Sequence, residues 1–174
     1  MKKRGQFYLI AAIIIITLIL GFVAISNYSK TKSSTKVYDL AEELGIESGK
    51  VLDFGTYSEY DEDEMSGLLE GFSETYIDYA GEGRNLYFIF GNYDKITVVA
   101  YQDLTSGELS VEGGDSPLKI TKGTSISGEF FPKGQNKVKI IINEAEFEFE
   151  LKAGENFYFV LFQEIGGEQH VITG

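Results

Sequence analysis

Residues 136–152 read NKVKIIINEAEFEFELK. Two alternating arms flank Asn143-Glu144, and a two-residue turn there opposes residues whose numbers sum to 287. One face then pairs Ile142 with Ala145, Ile140 with Phe147 and Val138 with Phe149. The other pairs Lys139 with Glu148 and Lys137 with Glu150. One register yields both an apolar face and a face of opposite charges, and side chains across an antiparallel pair stabilise it in both ways. The stretch predicts a β-hairpin buried on one side. Its alternating glutamates are read as a solvent face, not as a catalytic or metal-binding cluster.

The same pattern extends in both directions. Upstream, NLYFIF (85–90) and KITVVAY (95–101) are apolar runs joined by GNYD (91–94), whose Gly, Asn and Asp suit a hairpin loop. Shorter strands are predicted in ELSVE, LKIT and SISGEFF, punctuated by GGDSP (113–117) and FPKGQN (131–136). Downstream, ENFYFVLFQE (155–164) is apolar on both faces and predicts a central strand, which IGGE turns into QHVIT. The 24 Phe and Tyr residues alternate with other apolar residues in many of these runs, so they are first of all core. Eight or nine short strands at close spacing predict an antiparallel sandwich-like β domain.

Before the strands, DEDEMSGLLEGFSETYIDYAG (61–81) carries Met65, Leu68, Leu69, Phe72, Tyr76, Tyr79 and Ala80 at helical spacing. An amphipathic helix over 61–80 is predicted, docked on the sheet by that face, which makes the fold class α+β. The acidic run 61–64 suits a helix start, where carboxylates complement the dipole, and lacks the spacing of a calcium loop.

The chain opens MKKRGQFYLIAAIIIITLIL. Residues 7–25 contain no charge, and 19 residues of helix span roughly 28 Å, about the hydrocarbon thickness of a bilayer. A secretory signal core is shorter, and Ala24-Ile25-Ser26 is a weak match to a small-x-small cleavage site. A retained transmembrane helix over 6–26 is expected. Lys2, Lys3 and Arg4 favour a cytoplasmic N-terminus although Lys30, Lys32 and Lys36 flank the far end, so a single-pass protein with an extracytoplasmic C-terminal domain is expected. From Phe22 to Leu44 there is neither Gly nor Pro, and Val37, Leu40, Ala41 and Leu44 fall at helical spacing before Gly45, read as the C-cap. The segment 27–57 is thus a stalk helix or, given SNYSKTKSSTK, a flexible linker. Asn27 begins an NYS glycosylation acceptor within a few residues of the bilayer, read as unmodified.

KKRGQ followed by this apolar helix resembles the class III signal peptides of archaeal type IV pilin-like proteins. The resemblance covers about the first 25 residues. It implies that a prepilin peptidase cuts on the cytoplasmic side after a leader of residues 1–5. Lys3 and Arg4 then precede the cut, Gly5 is the last leader residue and Gln6 the first mature one. Tyr8 and Ile10 stand where many members carry Ser and Glu, a departure that counts against a major filament subunit and leaves a pilin-like or minor-pilin protein.

Charge narrows the partners. From residue 31 onward there are 11 basic against 27 acidic residues, a net of −16, which repels nucleic acid and anionic lipid surfaces. The chain has no cysteine, hence no disulfide, thiol nucleophile or thiolate metal site. Its one histidine, His170, sits in a predicted strand with no legible Ser/His/Asp pattern. GIESGKV (45–51) is one residue short of a phosphate loop and has Val51 where Ser or Thr is needed. No cofactor, metal or catalytic residue is assigned, and an extracytoplasmic hydrolase is only a remainder. Two readings compete. One is a pilin-like cell-surface subunit that packs through its N-terminal helix with copies of itself or other pilin-like subunits, with Ala11, Ala12 and Gly21 allowing close approach. The other is an uncleaved, membrane-anchored binding module whose 58–174 domain contacts envelope polymer, sugar or protein, with GGDSP and FPKGQN as contact loops.

Overall fold

The computed structural model describes residues 3–112, 116–132 and 135–174, with side-chain surroundings given at 14–24 and from 36 onward. The chain divides into two units, Met1–Val37 and Tyr38–Gly174. Helix α1 (Lys3–Tyr57) contributes its residues up to Val37 to the first and the remainder to the second. In the first unit, Ile14, Ile15, Ile16, Leu18, Ile19, Leu20, Phe22 and Val23 are all exposed. Among the described residues no helix is long and apolar enough to cross a membrane. Residues 6–13, 25 and 26 of the expected 6–26 span lie outside those whose side chains are described, as does the side chain of Asn27.

The second unit is α+β. After α1 come α2 (Glu62–Ala80) and nine strands: β1 (Arg84–Gly91), β2 (Ile96–Gln102), β3 (Gly107–Val111), β4 (Leu118–Ile120), β5 (Thr124–Phe130), β6 (Lys137–Ile142), β7 (Ala145–Glu150), β8 (Asn156–Ile165) and β9 (Glu168–Thr173). They form two antiparallel sheets, ordered β5-β2-β1-β8-β9 and β4-β3-β6-β7. The β6–β7 register is the one the hairpin predicts, from Lys137 opposite Glu150 to Ile142 opposite Ala145. Asn143 and Glu144 turn it with φ of 46° and 74°, both positive, as a right-twisted two-residue hairpin requires. The charges do not pair straight across. Lys137 bonds Glu148, and Lys139 bonds Glu146 at 2.7 Å. Strand twist brings the diagonal neighbours of a long lysine as near as the opposed one.

Alternation sorts the side chains of the five-stranded sheet to two cores. Tyr87, Ile89, Val98, Ala100, Val160 and Phe162 face the second sheet and pack on Leu109, Val138, Ile140 and Ile142. Phe88, Phe90 and Phe157 lie on the other face, against Phe72 and Tyr76 of α2. Strands β1, β2 and β8 are therefore buried on both sides, which is why their sequences read as continuous apolar runs.

Helix α2 starts with a capping box. Asp61 accepts from the Glu64 amide at 2.9 Å, and the Glu64 carboxylate accepts from the Asp61 amide at 3.1 Å. Its buried face is Met65, Leu69, Ser73, Tyr76, Ile77 and Ala80. Tyr79, expected on that face, is 67% exposed. The helix is rotated about its axis so that Ser73 is buried instead, its hydroxyl satisfied by donating to the Leu69 carbonyl at 2.8 Å.

The expected end of α1 at Leu44, with Gly45 as cap, is corrected. The helix continues to Tyr57 through Gly45, Gly49 and Gly55. Its buried residues within the second unit are the adjacent Leu40 and Ala41, then Leu44, Ser48 and Gly55 at one- and two-turn spacing along the same face. Tyr76 donates to the Leu40 carbonyl at 2.8 Å, and a Cβ on Gly55 would lie 2.6 Å from Met65 Sδ. Leu40 thus faces the end of α2 and Gly55 its start, so the two helices run antiparallel. Tertiary burial outweighs the cost of about 1 kcal/mol that each glycine imposes on a helix interior.

Candidate functional site

The first candidate region is the apolar stretch of α1. A helix that is apolar around its whole circumference has no face that can rest against water. Leu20 is 63% and Phe22 72% exposed, and the eight exposed side chains spread over about two-thirds of the circumference, with Thr17 and Gly21 in the remaining sector. Gly21 adds a small residue whose surroundings are open. Gly5 and Gln6 fall within α1, but their side-chain surroundings, like those of Ala11 and Ala12, lie outside the described set.

The second region is one end of the β domain. Of GGDSP, Gly113, Gly114 and Asp115 lie outside the described residues; of FPKGQN, Lys133 and Gly134 do. The described residues that flank them are held by backbone bonds. The Glu112 amide donates to the Lys139 carbonyl at 2.9 Å, and the Leu151 amide to the Asn136 carbonyl at 2.8 Å. Tyr93 donates to the Leu151 carbonyl at 3.2 Å. The β1–β2 loop, the described residues flanking both predicted contact loops and the turn before β8 therefore gather at the same end. Phe131 stands 62% exposed among them.

At this end Asn92 is the organising residue. Its side-chain oxygen accepts from the amides of Asp94 and Lys95, closing the hairpin loop. Its side-chain nitrogen donates to Glu62 at 3.0 Å and to Glu155 at 3.2 Å. Lys95 reaches Glu129 at 3.4 Å and Asp63 at 3.5 Å. Burial pushes the Glu155 carboxyl up, against a smaller lowering by the Asn92 bond. The arrangement ties the start of α2 to the loop end of the sheet. Sequence reading missed it, because Asn92 looks like an ordinary turn residue and the carboxylates come from elements far apart in the chain.

His170 is half-buried on β9, opposite Gln163 of β8. Glu146, Glu148 and Glu150 are exposed on the outer face of β7. GIESGKV is helical, inside α1, and forms no loop. Among the described residues no group of three or more His, Asp or Glu is placed to hold a metal ion. Between the sheets, the Gln102 side-chain nitrogen meets the Tyr87 hydroxyl at 2.6 Å. The Gln102 side-chain oxygen is buried without a partner among the described residues. Compared with protein-family profiles, with curated proteins and with solved structures, the chain finds no match.

Proposed function

We propose that the chain is a pilin-like or minor-pilin cell-surface protein, anchored or assembled through its apolar N-terminal helix and displaying an acidic β domain outside. The observation that carries this reading is the exposure of eight large apolar side chains at 14–23, spread over about two-thirds of the helix circumference, in a segment that follows a basic cluster and the Gly5-Gln6 pair. Such a helix is stable only in lipid or among other apolar helices. The sequence around Gly5 fits a peptidase that leaves it as the mature N-terminus. The β domain, at net −16 from residue 31 onward, suits display in water.

The test is the N-terminal residue of the mature protein, read by mass spectrometry from cells with and without a prepilin peptidase. A peptide starting at Gln6 only where the peptidase is present supports the reading. A start at Met1 or Lys2 in both sinks the filament part and leaves a membrane-anchored binding module. A start near Asn27 sinks both, since the apolar segment would then have been discarded.

A further inference from the structure

The two sheets leave four outer edges, β5 and β9 on one and β4 and β7 on the other. An unprotected edge presents free backbone donors and acceptors that a further strand can pair with. Strands β4 and β5 shield each other: Leu118 packs so tightly over Gly128 that a Cβ there would lie 2.7 Å from its Cδ1. Strand β7 is defended by Glu146, Glu148 and Glu150, which repel a second β7.

Strand β9 has no such defence. It carries one charge, Glu168, in a domain otherwise dense with carboxylates, and contains neither Lys nor Pro. Its register with β8 runs from Glu168 to Thr173 without a bulge. Phe159 and Gly174 exchange both backbone bonds, at 2.9 and 3.2 Å. Such pairs alternate along an antiparallel ladder, so His170 and Ile172 also bond to β8. Gln169, Val171 and Thr173 therefore turn their N–H and C=O groups outward. Val171 lies opposite Phe162 yet is 43% exposed. The second sheet stops short of it: Phe147 of β7 already meets Phe162 over β8, at 5.8 Å between ring centroids.

We infer that β9 pairs antiparallel with β9 of a second copy of this chain, with Val171 opposite its own counterpart on a two-fold axis. This register satisfies all three outward residues, since Gln169 meets Thr173 of the other copy. Glu168 falls opposite Gly174 of the other copy, so no like charges are opposed, and the two exposed valines cover each other. Two five-stranded sheets become one continuous sheet. The pairing is independent of whether the leader is cut.

The absence of cysteine makes the test direct, because any cysteine introduced is unique. The full chain is expressed in cells as Val171→Cys, Thr173→Cys or Glu146→Cys, and membranes are treated with a mild oxidant. Across the two-fold axis the Val171 Cα atoms are about 5.5 Å apart, within disulfide reach. The two Thr173 positions are offset by four residues, roughly 13 Å, and are out of reach. A disulfide dimer for most of the Val171→Cys chain, with Thr173→Cys and Glu146→Cys monomeric, is expected. Equal cross-linking at all three sites would show mere crowding through the N-terminal helix and overturn the pairing. So would a monomeric Val171→Cys protein that resists protease as the parent chain does.

Discussion

The Tyr87 hydroxyl illustrates how much a single buried group can report. It lies between the sheets, bonded to Gln102, and burial pushes its phenol up to about 12, the Gln102 bond lowering it by less. Tyr76 is raised as well, first by burial and then by the charge of Glu43. A phenol whose pKa is higher folded than unfolded binds its proton more tightly in the native state. Its contribution to stability is complete below the unfolded value near 10 and is lost as pH rises through about 12. Denaturant melts should therefore agree at pH 7 and 9 and fall steeply above pH 10. Tyr87→Phe should flatten part of that fall while costing about 1–3 kcal/mol at neutral pH, because the Gln102 amide is then left wholly unpaired. A variant as stable as the parent at pH 7 would mean that the bond is replaced by another partner.

Elements show where local signals were overruled. Gly45 has the look of a helix stop, yet α1 passes through it, and a Cβ there would meet nothing within 4 Å. Gly45→Ala is therefore expected to stabilise the protein by about 1 kcal/mol, the difference in helix propensity. Had Gly45 been a left-handed cap, the same change would destabilise. Thermal melts of the two chains decide the sign. The β6–β7 hairpin is the opposite case, since pattern and turn alone specified its register. Only its ion pairs moved, onto the diagonal, as twist requires.

For the whole molecule the decisive quantity is the exposed apolar surface at 14–23. The parent chain is expected to stay in the membrane pellet through an alkaline wash. Replacing Ile15 and Ile19 with lysine costs about 6 kcal/mol of insertion free energy, at roughly 3 kcal/mol for each lysine near the helix centre. The double variant should shift into the soluble fraction, whereas Thr121→Lys, an exposed change on the β domain, should leave the parent's behaviour intact. A parent chain extracted by the wash would remove the ground for anchoring.

Much of this fold was readable in residues alone. Alternation set the strands and the hairpin register, the double-sided apolar run placed β8 in the sheet interior, and the acidic run 61–64 marked the start of α2. These are local matters, fixed by side-chain periodicity and by capping within a few residues. The apolar run at the N-terminus was equally plain, because an uncharged stretch needs no partner to be recognised. Tertiary structure alone decided the rest. It carried α1 past Gly45, turned Ser73 inward and Tyr79 outward, and joined Glu62 to Glu155 through Asn92. It also left β9 as the undefended edge. Each of these depends on what lies across a packed layer, and burial against a neighbour distant in the chain outweighs local preferences worth about 1 kcal/mol.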